Sequence, residues 1–153
     1  MNRSRYVIRP IDKADRAIIA ALSENSRMTA RELAEQIGLS SPSVSERIHK
    51  LEDAGAIQGY NLEINPAVFG LNITAYVRMR AMLGEVKRVQ QLLSETPQIV
   101  EADHISGEDC FLAKVVTRDM EELESVIARF SAFASTDTAI VLSSTVKRRP
   151  PKL

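Results

Sequence analysis

The chain has 153 residues, 44% of them apolar, enough for one domain or two small ones. Twenty basic residues balance twenty acidic ones, so overall charge alone gives no sign of a nucleic-acid partner. Cys110 is the sole cysteine, which excludes an intrachain disulfide and fits a reducing compartment. No apolar run approaches the ~18 residues of a membrane span, and MNRSRYVIRP has no apolar stretch behind its charges. The expected setting is the cytoplasm, with no membrane partner.

The apolar spacing is helical up to about residue 60 and mixed beyond it. Residues 1–60 hold nine Lys/Arg and eight Asp/Glu; residues 61–153 hold eleven and twelve. In the first part, Asp12 is a good N-cap for a helix with an apolar stripe of Ala14, Ala17/Ile18 and Ala21/Leu22. Thr29 and Glu32 have the capping-box spacing for a second helix, with Leu33, Ala34 and Ile37 as its stripe. Gly38 suits a left-handed ending, with Leu39 packing back on the helix. A third helix begins at Ser40 or Ser41, tolerates Pro42 in its first turn, and turns Val44, Ile48 and Leu51 inward. Gly55 can close it. Two helices joined by about three residues including a glycine form a helix-turn-helix pattern, although a three-helix core without a DNA role fits the same spacing.

The third helix is serine-rich at its start: Ser40, Ser41, Ser43 and Ser45. Capping accounts for one of them. Short hydroxyls on the outward arc let a helix sit close in a major groove and bond phosphates or base edges. Ser41, Ser43, Ser45, Arg47 and Lys50 are therefore the expected DNA contacts, with Arg47 at the flank of the arc. Glu46 repels phosphate unless it accepts from a cytosine amino group. Arg3, Arg5 and Arg9 fit an arm along the DNA or a solvated tail equally well. KRRPPKL at 147–153 reads as a solvated tail.

The second part reads βαββαβ. A strand-like linker at 57–64 leads to the Asn65-Pro66 turn. Strands are expected at 73–81, 99–106, 110–117 and 138–145, with helices at 86–93 and from Met120 to Phe130. This order predicts a ferredoxin-like α+β fold, both helices on one face of an antiparallel sheet. Strands three and four look apolar on both faces, so the face without helices needs a cover, and dimerisation through it is expected, or packing of the first part there. The domains expected are 1–56, a linker 57–72, and 73–153.

The Ser106-Gly107-Glu108-Asp109 loop joins two central strands. Its glycine can present N–H groups to a carboxylate, and its acids can accept from an ammonium, as a free amino acid requires. An ordinary hairpin turn explains it too. His104 and Cys110 are too few to hold zinc. No phosphate loop, nucleophile elbow or metal cluster is legible, so no catalytic residue, metal or cofactor is assigned.

IDKADRAIIAALSENSRMTARELAEQIGLSSPSVSERIHKLEDAGAIQGYNLEINPAVFG, followed by HISGEDCFLAKV and STDTAIVLSSTV, resembles the Lrp/AsnC (feast/famine) transcription regulators from about Ile11 to Thr145. The resemblance implies a winged helix-turn-helix joined to a ferredoxin-like effector domain. It implies dimers through the sheet domains, often octamers, that bind pseudo-palindromic promoter DNA and respond to amino acids. By that likeness the effector lies between dimers, against Ser106, Gly107, Glu108, Asp109 and Thr138. The sequence departs from the family at one point: many members carry an acid where Cys110 stands, whereas here the acid comes one residue earlier, at Asp109. Either Asp109 substitutes, or the ligand differs, or none binds. An architectural DNA-binding protein without effector control and an amino-acid-binding enzyme subunit are the alternatives to an effector-modulated regulator.

Overall fold

The computed structural model describes residues 10–147, Arg149 and Pro151. The chain forms two units, residues 1–62 with 147–153, and residues 63–146. The expected linker at 57–72 is thus divided between them. Among the described residues, no helix is long and apolar enough to cross a membrane.

The first unit contains α1 (Lys13–Glu24), α2 (Ala30–Ile37) and α3 (Ser41–Asp53). Capping boxes start α1 and α2: the side chains of Asp12 and Thr29 accept from the backbone of Asp15 and Glu32, which bond back to the caps. Each such cap contributes about 1 kcal/mol. Gly38 ends α2 at φ 76°, and the N–H groups of Gly38 and Leu39 both bond to the Ala34 carbonyl. An L-residue is disfavoured there because its Cβ crowds the backbone. Three residues, Gly38, Leu39 and the N-cap Ser40, therefore turn the chain from α2 into α3. Ile18, Ala21, Leu22, Leu33, Ala34, Val44 and Leu51 form the buried core, and Ile37, Ile48 and Ile57 pack against it.

The linker at 57–64 forms no strand within this chain. Its apolar side chains alternate as a strand's would, but Tyr60, Leu62 and Ile64 are exposed. The pattern is present, while a ladder partner is not.

In the second unit, a 3-10 turn at Pro66–Phe69 precedes β1 (Ile73–Ala81), α4 (Val86–Glu95), β2 (Ile99–His104), β3 (Phe111–Thr117), α5 (Met120–Ala128) and β4 (Ala134–Ile140). The sheet order is β2-β3-β1-β4, antiparallel throughout, as the ferredoxin-like expectation requires. Ala75, Val77 and Met79 of β1 and Phe111, Ala113 and Val115 of β3 share one core with Val89, Leu92 and Leu93 of α4 and Leu123 and Val126 of α5. Period-2 alternation leaves Tyr76, Arg78 and Arg80 of β1 on the opposite face, level with Leu112 and Lys114 of β3.

The fourth strand differs from expectation. It begins four residues earlier than predicted and ends at Ile140, so most of the apolar run from Ala139 to Leu142 falls at or beyond its end. Leu142 is fully solvated. Pairing with β1 decides the register, placing Ser135, Asp137 and Ala139 opposite Arg80, Arg78 and Tyr76. Such pairing overrides local propensity. The helix-free face is therefore mixed, with Leu112, Lys114 and Val116 along β3 and Ser135, Asp137 and Ala139 along β4, rather than apolar across both.

Candidate functional site

With about 100° between successive residues, α3 divides into three arcs. Val44 and Leu51 are buried in the three-helix core. Pro42, Glu46, His49, Lys50 and Asp53 form one exposed ridge. Ser43 and Ser45 flank that ridge on either side, half-buried, and Ser41 lies nearer the core side. Ser40 rather than Ser41 is the N-cap, its Oγ accepting from the Ser43 N–H at 3.4 Å. The expected hydroxyls thus line the ridge, with the bulky groups along its crest. Lys50 is bridged to Glu46 one turn before it, and His49 Nδ1 lies 3.4 Å from Glu52.

Arg47 points elsewhere. Its Nη1 lies 2.7 Å from Asp12 Oδ2 and 2.7 Å from Asp15 Oδ1, and its side chain is only 24% exposed. Asp12 and Asp15 are also the two halves of the α1 capping box, so one guanidinium binds the cap of α1 to the middle of α3. The Asp15 backbone N–H, and after it Arg47, hold the Asp12 carboxyl below its ordinary range. The same carboxylates raise the Arg47 pKa, Asp12 foremost. Helical geometry contained a hint of this: Arg47 sits about 40° from Leu51, nearer the core stripe than the ridge. Nothing local ties it to residues 32 and 35 positions away. Arg3, Arg5 and Arg9 lie outside the described residues.

In the second unit the loop at 105–110 is closed at its base by Ile105 N–H donating to the Cys110 carbonyl, and Cys110 N–H bonds to Met79. Gly107 sits at φ 122°, open only to glycine. Ser106 and Glu108 are exposed and Asp109 is half-buried. Both acids converge on Arg80 of β1: Glu108 Oε2 at 2.7 Å and Asp109 Oδ1 at 3.7 Å. Arg80 is the basic centre of this loop. Next to it along β1, Arg78 is bridged to its cross-strand partner Asp137. Thr138 is exposed on edge strand β4 opposite Val77, on the alternate side of β1 from Arg80, so one copy of the chain does not bring it to the loop. Cys110 is half-buried against the sheet core, and His104 stacks on Phe111 at 4.9 Å, so both have packing roles.

Comparison with known proteins accounts for both regions. Residues 11–58 match the family model of a winged helix-turn-helix DNA-binding domain, and residues 74–151 match that of the Lrp/AsnC ligand binding domain. The transcriptional regulator LrpC of Bacillus subtilis is 32% identical over 87% of this chain and 92% of its own length. The proline dehydrogenase transcriptional activator of Rhodobacter capsulatus is 31% identical over 94% of this chain and 97% of its own. The solved structure of B. subtilis LrpC superposes with a TM-score of 0.87, covering 92% of this chain and all of that one. A feast or famine regulatory protein from M. tuberculosis, complexed with L-methionine, superposes at 0.85 with 26% identity, over 92% of this chain and 98% of its own. The exposed ridge of α3 thus falls within a matched DNA-binding domain and the Arg80 loop within a matched ligand-binding domain: the chain belongs to the Lrp/AsnC family and is a DNA-binding transcriptional regulator rather than an enzyme.

Proposed function

We propose that this regulator reads promoter DNA by laying the α3 ridge in the major groove of each half-site, as a homo-oligomer whose affinity is set by an amino acid or a related small molecule. The observation that carries the reading is the ridge itself. It is exposed, flanked by Ser43 and Ser45, and held on a helix whose opposite side is buried. Ser43 and Ser45 bond phosphates or base edges, Ser41 supports the first turn at the backbone, and Lys50 exchanges Glu46 for a phosphate or a guanine edge. Arg47 acts through the Asp12–Asp15 clasp, fixing the angle of α3 on α1. A direct phosphate contact by Arg47 would have to compete with two carboxylates.

The oligomer is proposed to be a dimer that assembles further to an octamer. The exposed alternation of Tyr60, Leu62 and Ile64 supports it, since a strand-like segment without a ladder fits a partner strand from a second copy. Tyr76 and Leu112 on the helix-free face support it too. An isologous dimer carries two reading helices, so half-sites spaced by about one turn of duplex are expected. For the effector, the loop Ser106, Gly107, Glu108 and Asp109 with Arg80 offers both an anionic and a cationic partner to a zwitterion, with Thr138 reaching it from another copy. The methionine complex of the mycobacterial relative supports that ligand class.

Footprinting on duplexes with paired half-sites, with and without each of the twenty amino acids, tests the reading. Protection of two half-sites about one turn apart, shifted in affinity by at least one amino acid, is the expected result. Uniform coating of DNA with no response to any amino acid would favour an architectural role.

A further inference from the structure

The exposed ridge of α3 has two margins. At about 100° per residue, Lys50 stands beside Ser43 on one of them and His49 beside Ser45 on the other, with Pro42, Glu46 and Asp53 between. The centre of the ridge thus carries a proline and two acids. On the Ser43 margin, Lys50 is bridged to Glu46. On the Ser45 margin, the His49 side chain is 77% exposed, and its Nδ1 lies 3.4 Å from Glu52 Oε2.

Glu52 is held in turn. Its other oxygen, Oε1, accepts from the Tyr60 hydroxyl at 2.9 Å. Tyr60 returns to the last turn of α3 because Gly55, at φ 69°, reverses the chain there. The N–H groups of Ala56 and Ile57 then both bond to the Leu51 carbonyl, and Ile57 packs on the three-helix core. Burial first, and Glu52 after it, push the Tyr60 phenol up, so its hydroxyl stays a donor. One carboxylate is therefore shared between the segment after α3 and the reading ridge, all within residues 1–62.

This arrangement decides what the imidazole can do. A carboxylate only accepts, so the neutral ring carries its proton on Nδ1 and leaves Nε2 an acceptor. An acceptor is repelled by phosphate oxygens and by guanine O6 and N7. The donors that the major groove offers it are the amino groups of adenine and cytosine.

We propose that His49 reads a base, accepting through Nε2 from the amino group of an adenine or a cytosine, and that Glu52 and Tyr60 are positioning residues that fix its ring. The assignment rests on the reading of α3 as the helix that enters the groove.

Selection from a randomised half-site library, at about pH 8, above the range in which histidine ordinarily takes up charge, compares the full chain with His49→Ala, Glu52→Ala and Tyr60→Phe. The parent is expected to prefer its base pair by about five- to tenfold at one position where His49→Ala is indifferent. Glu52→Ala and Tyr60→Phe should weaken the preference at that position alone, with the melting temperature unchanged. Two altered duplexes then identify the atom read. Removing the adenine or cytosine amino group at that position should cost the parent the same factor and His49→Ala nothing. Replacing the purine N7 there by carbon should leave parent binding as it was. If His49→Ala keeps the parent's preference at every position, the proposal fails while α3 remains the reader. Sensitivity to N7 with tolerance of the missing amino group also overturns it, because the ring then donates. Loss spread over all positions in Tyr60→Phe, with a lower melting temperature, removes the positioning role. A parent chain with no preference at any position overturns the reading of α3 itself.

Discussion

Arg47 reaches from the middle of α3 to within 2.7 Å of Asp15, a carboxylate 4% exposed in the first turn of α1. Removing the cation from beside a buried carboxylate costs far more than breaking a surface pair, which is worth under about 1 kcal/mol. Arg47→Met keeps the aliphatic stem and removes the charge. It should destabilise the helix-turn-helix unit by about 2 kcal/mol in urea unfolding. DNA affinity should drop for all sequences with the salt slope preserved, because the angle of α3 changes while the same phosphates stay neutralised. A slope smaller by about 1 would instead show that Arg47 itself neutralises a phosphate.

The Glu46–Lys50 bridge on the crest of α3 sets a different balance. Glu46 repels the duplex and neutralises the lysine that would attract it, so it lowers non-specific affinity more than specific affinity. Glu46→Gln should raise binding to scrambled DNA by several-fold and steepen the salt slope by about 1. Ser43→Ala, beside it, should alter base preference with little change in slope. Competition binding with a randomised half-site library measures both effects, and a Glu46→Gln protein as selective as the parent would remove the discriminating role.

Much of this was legible because local rules and global fold agree. The capping signals at Asp12 and Thr29, the Gly38 turn and the Val44/Leu51 stripe each depend on residues within a few positions, and each forms as read. The βαββαβ order was readable for the same reason. What escaped depends on long-range partners. The start of β4 is set by pairing with β1, far earlier in the chain, not by its most apolar stretch. Arg47 read as a cation at the flank of the arc, and the carboxylates that hold it belong to another helix. Arg80 gained a role only when the loop folded its acids onto β1.

The acid sensitivity of the sheet unit should trace to Glu122. Its carboxylate accepts from the Arg118 backbone N–H at 2.9 Å, from Gln98 at 3.0 Å and from Arg118 Nε at 3.1 Å. These bonds, the backbone one foremost, bring its pKa down to about 2 from an ordinary 4.5. A group whose folded pKa is depressed contributes stability that is complete above the unfolded value and lost as pH falls towards the folded one. The wild type should therefore lose stability between about pH 5 and 2, and Glu122→Gln should flatten that part of the profile. Urea midpoints measured across this range decide it: parallel profiles for the two proteins would assign the acid sensitivity elsewhere.

The loop acids should separate by role. Glu108 is the nearer to Arg80 at 2.7 Å but its side chain is 85% exposed, so it is held by a surface pair that water and salt weaken. Asp109 stands 3.7 Å from Arg80 and is 32% exposed, beside the backbone that closes the loop onto Met79. An incoming ammonium gains more from the less solvated carboxylate, and a ligand carboxylate can take the place of Glu108 at Arg80. Asp109→Asn and Arg80→Met should each abolish the melting-temperature rise produced by the effector amino acid, whereas Glu108→Gln should preserve or increase it. Thermal melts with the twenty amino acids read this directly. Loss of the response in Glu108→Gln with retention in Asp109→Asn would exchange the two roles and place the ammonium at the tip of the loop.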